Sequence, residues 1–203
     1  MSRPEVIDLD QNATTRPLPE VLELSLRHAL AEYANPGSRH QLGRAARRVL
    51  EESREQIAAC LQADPEELVF TSGGTESNNL ALLGLDRKAR GTLLLTGGEH
   101  PAIRASAEHL RDRGWQLLEF PLLGTGQIDP ASLDRLPWPE IDLVAIILAH
   151  NETGVIQEIT PIVDRCRAAG IPLHLDAVQA VGKIPVQFHS LGAASLAFVA
   201  HKF

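Results

Sequence analysis

Residues 67–85 read ELVFTSGGTESNNLALLGL, and this stretch decides the fold class. The apolar run at 68–70 is typical of a short strand, and the pattern at 76–85 predicts a helix. Between them, residues 72–75 carry two adjacent glycines, which tolerate the backbone angles of a tight turn. A strand, a turn and a helix in succession form the repeating unit of an α/β fold.

Phosphate binding is one use of such a turn. The first N–H groups of a helix have no partners within it, and the helix dipole places partial positive charge there. Gly74 would let a phosphate approach the backbone, and the Thr75 hydroxyl would add a hydrogen bond. Because the stretch matches neither GxGxxG nor GxxxxGK[ST], a tight connection without a ligand is the alternative interpretation.

Composition narrows the class of protein. Of the 203 residues, 44% are apolar and 22% are charged, which is the balance of an ordinary globular domain. The net charge of −7 argues against nucleic acid and anionic membranes as partners. No apolar run is long enough to span a bilayer, and the first residues lack the apolar core of a signal peptide, so we expect a cytoplasmic protein.

Cys60 and Cys166 form no CxxC motif and lie in helical patterns, so we expect two buried thiols and neither a disulfide framework nor a zinc site.

The rest of the chain alternates between two periodicities. We predict strands at 6–9, 68–70, 92–96, 116–120, 143–148, 172–175 and 194–199, and helices at about 18–33, 41–61, 76–85, 101–113 and 161–169. Strands that alternate with helices predict an α/β fold with a mainly parallel sheet and helices on both faces. Ligands of such sheets bind beyond the carboxyl ends of the strands.

Polar residues cluster at those predicted ends. The strands are followed by SGGT at 72–75, Glu99-His100, HNETG at 150–154, DAVQ at 176–179 and His201-Lys202. Because the carboxyl ends of parallel strands meet at one edge, we expect these groups to converge on one binding site.

The residue types in this set have a common chemistry. A partly desolvated Lys202 can attack a carbonyl to form an imine, and Asp176 suits a protonated ring nitrogen. His100 could stack on a ring, while Asn151 and Gln179 could bond a phenolic oxygen. A flat cationic ring with a phosphate and an aldehyde is pyridoxal 5'-phosphate (PLP), which requires such groups.

Each residue alone has a simpler interpretation. Lys202 would be a solvated charge, Asp176 a helix cap and His100 a turn residue. His174, within its strand, would be a core or interface histidine whose ring nitrogens are both bonded. Only the conjunction of the residues predicts a PLP site, and no HExxH-type spacing predicts a metal site.

Seven motifs extend the pattern over the whole chain. They are LDQNATTRP at 9–17, NPGSRHQLGRAAR at 35–47, VFTSGGTESNNLAL at 69–82, GGEHPAI at 97–103, HNETGVIQEI at 150–159, HLDAVQAVGKIPV at 174–186 and AHKF at 200–203. In these motifs the chain resembles the cysteine desulfurases, PLP enzymes that supply sulfur for iron–sulfur cluster assembly. The resemblance implies the fold type I architecture, a homodimer, L-cysteine as substrate and L-alanine as product. It also implies that the sulfur passes to an enzyme cysteine and then to an acceptor or scaffold protein.

The resemblance also implies roles for particular residues. The cofactor-binding residues carried over by position are Gly74, Thr75, His100, Asn151, Asp176, Gln179, His201 and Lys202. Among them Lys202 would join the cofactor, and Lys202 and His100 would be the catalytic residues. Gly74, Thr75 and His201 would hold the phosphate.

The chain departs from the family pattern in three places. Val199 stands where the family has a phosphate-binding serine, and His150 stands where an asparagine is usual. The third departure is the end of the sequence at Phe203, one residue after the lysine. We therefore expect an N-terminal piece, with residues 1–16 belonging to a small domain that is incomplete and residues 17–203 to a partial PLP-binding domain. We expect this piece to lack the sulfur-accepting cysteine and to be inactive alone.

Three alternatives stay open from the sequence. One is another PLP lyase, such as a selenocysteine lyase or an aminotransferase-like enzyme. The second is a non-catalytic scaffold or dimerisation fragment, and the third is a nucleotide-binding α/β domain that uses the glycine turn.

Overall fold

The computed structural model describes residues 7–85 and 88–203. The chain divides into two compact units, Met1–Val69 with Lys202, and Phe70–His201 with Phe203. The domain boundary that we predict after residue 16 stays a prediction.

The first unit is helical. Helix α1 (Pro19–Ala31) has no buried residue, whereas α2 (Gln41–Leu61) buries a stripe of small and apolar side chains. The His40 side chain caps α2 by accepting a hydrogen bond from the Gly43 N–H at 3.3 Å. A short 3₁₀ turn, Pro65–Glu67, follows α2. Both helices match the ranges predicted from the sequence.

Two predicted strands are wrong. Residues 7–9 and 68–70 form no strand, and residue 6 lies outside the described residues. In the second segment Val69 is 72% exposed, and the Leu68 carbonyl accepts a hydrogen bond from the Arg54 guanidinium at 2.5 Å. An apolar run of three residues becomes a strand only when another strand pairs with it. Here the Arg54 side chain, and not the backbone of a neighbouring strand, donates a hydrogen bond to the Leu68 carbonyl oxygen.

The second unit contains a five-stranded parallel sheet, which confirms the predicted fold class. Its strands are β1 (Thr92–Leu95), β2 (Gln116–Glu119), β3 (Leu143–Ile147), β4 (Leu173–Asp176) and β5 (Ser195–Ala197), in the spatial order β2-β1-β3-β4-β5. Its helices are α3 (Gly74–Leu85), α4 (Pro101–Asp112), α5 (Thr160–Ala169) and α6 (Phe188–Leu191), with 3₁₀ turns at Pro130–Arg135 and Trp138–Glu140. The last 3₁₀ turn, Ala200–Lys202, begins in this unit and ends at Lys202 of the first unit. All predicted ranges in this unit are correct to within a few residues.

Helices cover both faces of this sheet. On one face, buried side chains of the strands pack with those of α3 and α4; the cluster comprises Leu82, Leu93, Leu95, Ile103, Ala107, Leu110, Trp115, Leu143 and Ala145. Leu94 and Val144 alternate with these residues along their strands and therefore point to the other face. Both are fully buried as well, which explains why the central strands read as unbroken apolar runs.

The strand register brings the carboxyl ends level. Ile147 of β3 pairs with Asp176 of β4, and Asp176 pairs with Ala197 of β5. The segments that leave these three strands therefore start at the same edge of the sheet, as the alternating pattern predicts.

The two thiols differ. Cys166 is buried in α5, as expected, and burial raises its pKa to about 12. Cys60 is exposed, so the expectation of a buried thiol was wrong there. It lies about 100° around α2 from the buried Leu61, which places it off the buried stripe.

Among the described residues, no helix combines the length and the apolarity that crossing a lipid bilayer requires.

Candidate functional site

The Asp176 carboxylate lies at the end of β4 and is only 3% exposed. Its Oδ2 accepts a hydrogen bond from Asn78 Nδ2 at 2.8 Å, and its Oδ1 accepts one from the Val178 N–H at 3.1 Å. An ionised carboxylate can only accept, so donors on both oxygens suit the charged form. The site therefore holds a buried anionic group that is suited to a cationic ligand.

Asn78 joins this carboxylate to a histidine. Its Oδ1 lies 2.9 Å from His174 Nε2, and the other ring nitrogen of His174 lies 2.9 Å from Ser195 Oγ. His174 is 1% exposed, and burial lowers its pKa to about 4, although a hydrogen bond with Ser195 opposes this effect. The interpretation of His174 as a core histidine with both nitrogens bonded is correct, and the ring is neutral at physiological pH.

A second buried carboxyl group, Glu99, follows β1. Its Oε1 accepts hydrogen bonds from the Thr96 hydroxyl and, at 2.8 Å, from the Ile147 N–H. Its Oε2 is buried and has no hydrogen-bond partner among the residues that the structure describes. Burial raises the Glu99 pKa to about 7, and the nearby charge of Asp176 adds to the increase. Two carboxyl groups at the carboxyl ends of β1 and β4, the strands on either side of β3, thus differ in their preferred charge.

The glycine turn meets the same edge of the sheet. A Cβ atom added to Gly74 would lie 3.1 Å from Val178 and 3.3 Å from Val199, so a side chain here would force these two valines to move by a few tenths of an ångström. Gly74 is the first residue of α3, whose N-terminal N–H groups suit an anion. Glu76 accepts a hydrogen bond from the Ser72 N–H at 2.5 Å, and this bond lowers the Glu76 pKa. Thr75 is exposed beside it.

The predicted ring-stacking residue, His100, is exposed and caps α4. Its Nδ1 accepts a hydrogen bond from the Ala102 N–H at 3.1 Å, so the proton of the neutral ring is on Nε2. The imidazole orientation is therefore fixed by its own helix.

The other predicted ring contacts have local partners. The carbonyl oxygen of the Gln179 side chain accepts a hydrogen bond from Lys183, and Gln179 itself is buried. Asn151 is half-buried in the turn after β3. The preceding His150 accepts hydrogen bonds from the Glu152 and Thr153 N–H groups, each at 3.2 Å, and thus stabilises this turn.

Lys202 belongs to the first unit, together with Met1–Val69. Its Nζ donates a hydrogen bond to the Asn12 carbonyl oxygen at 2.7 Å. His201 belongs to the second unit and is exposed in the 3₁₀ turn Ala200–Lys202. The second unit thus brings Gly74 and the segment after Asp176 together, whereas the relation of Lys202 to Asp176 stays a prediction.

Sequence reasoning missed Asn78, and it placed Glu99 among the polar groups at the strand ends without giving it a role. Asn78 is buried one helical turn before Leu82 on the inward face of α3, so a polar residue within that stripe was the available signal. Glu99 follows an apolar strand, and an acid in such a place was a signal for a buried carboxyl group.

The chain is similar in sequence and in fold to several known proteins. The sequence profile of the family "Aminotransferase class-V" matches residues 7–203. A mitochondrial cysteine desulfurase of Arthroderma benhamiae is 37% identical over 202 residues, which cover 97% of this chain and 40% of that relative. A solved structure of a "NifS-like protein" superposes with a TM-score of 0.88 and 35% identity, covering 96% of this chain and 55% of the other. A second solved structure, "SspA in complex with cysteine", has a TM-score of 0.88 and 30% identity over 95% and 56% of the two chains. The chain thus spans about half the length of the proteins that it matches.

Proposed function

The chain belongs to the aminotransferase class-V family, and we propose that it is the PLP-binding part of a cysteine desulfurase. The observation that carries the proposal is the buried Asp176 carboxylate, held by two donors at the edge of the sheet where Gly74 begins α3. A buried anion beside a helix N-terminus suits a ligand that carries both a cationic ring and a phosphate.

The residues of the second unit fit PLP. Asp176 would hold the proton of the ring nitrogen, since its carboxylate is buried and accepts only. The N–H groups at the start of α3 would bind the phosphate, with Thr75 and His201 beside them. Val178 and Val199 pack against Gly74 and would exclude water from the phosphate turn. Asn151 and Gln179 would donate their amide N–H groups to the phenolic oxygen, while the Gln179 oxygen keeps its bond from Lys183.

Two residues would act on protons and on the cofactor. Lys202 would join the cofactor covalently and would transfer protons at its Nζ. His100 would stack on the ring, and its Nε2 carries the mobile proton because Nδ1 caps α4. When bound, PLP supplies an electron sink that weakens the bonds at the α-carbon of an amino acid.

The substrate that we propose is L-cysteine, which would yield L-alanine and a sulfur atom for a cysteine thiol and, finally, for an acceptor protein in iron–sulfur cluster assembly. Two relatives support this choice, since one is named a cysteine desulfurase and the other, SspA, was solved in complex with cysteine. We also propose a homodimer and a cytoplasmic location. Neither described thiol is placed as the sulfur acceptor, because Cys166 is buried and Cys60 lies in α2.

The test is spectroscopic first and catalytic second. The purified protein is mixed with PLP, and the visible absorption of the lysine-bound cofactor is recorded before and after borohydride reduction. Peptide mapping should place the reduced cofactor on Lys202. Lys202→Ala should remove the absorption band, while Lys88→Ala is the matched control because Lys88 pairs with Asp142 at the amino end of β3.

Sulfide and alanine are then measured with L-cysteine, with and without a thiol reductant. Alanine formation that depends on Lys202 would support the desulfurase reaction, and it would contradict the expectation that this piece is inactive alone. A protein that binds no PLP, or that retains the band in Lys202→Ala, would refute the proposal.

A further inference from the structure

We propose that Asn78, His174 and Ser195 form a buried positioning chain that orients the Asp176 carboxylate, an inference that rests on the proposed role of Asp176 as the cofactor's acid. The four side chains belong to three elements. Asn78 is on α3, His174 and Asp176 are on β4, and Ser195 is on β5, where it pairs with His174.

The direction of every hydrogen bond in the chain follows from Asp176. Because its ionised Oδ2 can only accept, the Asn78 group at 2.8 Å must be the NH₂, which leaves Asn78 Oδ1 facing His174. An amide oxygen can only accept, so His174 Nε2 must carry the proton. The neutral ring has one N–H, so Nδ1 must accept from the Ser195 hydroxyl at 2.9 Å.

Burial prevents water from replacing any hydrogen-bond partner in this arrangement. Asn78 and His174 are each 1% exposed, so water cannot replace a lost partner without entering the core. Burial favours a neutral His174, because the two groups bonded to its ring, the Asn78 amide oxygen and the Ser195 hydroxyl, are uncharged and would leave a buried imidazolium without a countercharge. The lowered pKa of His174, caused by burial, agrees with that requirement.

The chain also ties the acid to the proposed phosphate site. Asn78 lies one turn after Gly74, so the helix that begins at the phosphate turn also supplies the donor to Asp176. A shift of α3 along its axis would break the 2.8 Å bond. Asn78 and His174 therefore act on the cofactor only through Asp176, and they set the orientation of this acid relative to the phosphate.

The decisive measurement uses the cofactor-free protein. Two-bond ¹H–¹⁵N correlation spectra of ¹⁵N-labelled protein distinguish the two neutral histidine tautomers. We expect the His174 ring to be protonated at Nε2 and unprotonated at Nδ1 throughout pH 6 to 8. Protonation at Nδ1, or a cationic ring in this range, would overturn the proposal whether or not PLP binds. If the expected tautomer is present but PLP does not bind, the proposed function fails and the positioning chain stands.

A mild variant tests the consequence for binding. Ser195→Ala removes the donor to Nδ1 and should weaken PLP binding about fivefold, the effect of about one hydrogen bond. Ser195→Thr keeps the hydroxyl and should restore both the ¹⁵N signal of Nδ1 and the affinity. Ser190→Ala is the matched control, because Ser190 is exposed and its hydroxyl bonds the nearby Gln187. A Ser195→Ala protein with an unchanged His174 signal would contradict the chain.

Discussion

Replacing Glu99 by glutamine should stabilise the protein at neutral and alkaline pH. Burial raises the pKa of Glu99 from 4.5 to about 7. Between pH 4.5 and pH 7, Glu99 is therefore protonated in the folded protein and ionised in the unfolded chain. The stability that this group contributes is therefore complete below pH 4.5 and is lost as the pH rises through 7. The difference between the two pKa values corresponds to about 3 kcal/mol.

Glutamine resembles the protonated form. Its Oε1 can keep the hydrogen bonds from Thr96 and from the Ile147 N–H, and its NH₂ replaces the oxygen that has no described partner. The free energies of unfolding of wild type and Glu99→Gln should be equal at pH 4.5. The variant should be more stable by about 3 kcal/mol at pH 8.

Urea unfolding from pH 4.5 to 8.5, followed by the fluorescence of Trp115 and Trp138, measures this difference. The wild-type curve alone is not sufficient, because His174 contributes a slope of opposite sign between pH 4 and 6.5. The difference between wild type and variant cancels that contribution. Glu119→Gln, an exposed carboxyl group beside Arg104, is the control and should change stability little at any pH. Parallel curves for Glu99→Gln and wild type would refute the assignment of Glu99 as a neutral acid.

Three further predictions follow from burial and contact. The free energy of unfolding of wild type should fall by about 3 kcal/mol as the pH drops from 6.5 to 4, because the His174 imidazole takes up a proton only once it is exposed by unfolding. His174→Gln has no imidazole at this position and should not show that fall. Acid unfolding of the two proteins checks this. A thiol reagent should modify one cysteine, Cys60, in the native protein and Cys166 only after denaturation, so native Cys60→Ser should not react. Val199→Ser should strengthen PLP binding about fivefold by adding a phosphate donor near Gly74, whereas Val199→Ala should not; equal affinities from absorbance titration would exclude a phosphate contact at this position.

The local pattern of the sequence predicted most of the second unit. Apolar runs of four to six residues that alternate with amphipathic helices allow only a mainly parallel sheet, and the runs at β1 and β3 are indeed buried on both faces. The same logic placed the polar segments at one edge. The run at 68–70 failed because strand formation depends on a partner strand, which periodicity does not report.

The site was predicted only in part. Asp176 was identified from its place after a strand, but its donor Asn78 lies 98 residues earlier in the chain. The charge preference of Glu99 likewise depends on Ile147, 48 residues away, and on the neighbouring Asp176. Sequence motifs identified which residue types were present, and the roles predicted for Lys202 and His100 await the experiments above.

Within the parallel sheet and its helices, the sequence by itself determined the order of the elements along the chain, because backbone preference and apolar periodicity act between residues a few positions apart. It also determined the family, because the motifs run through nearly the whole chain. Only the tertiary structure decided which carboxyl group is charged and which is neutral. Desolvation and hydrogen bonding depend on the groups that folding places around each oxygen, and those groups come from strands and helices far apart in the chain.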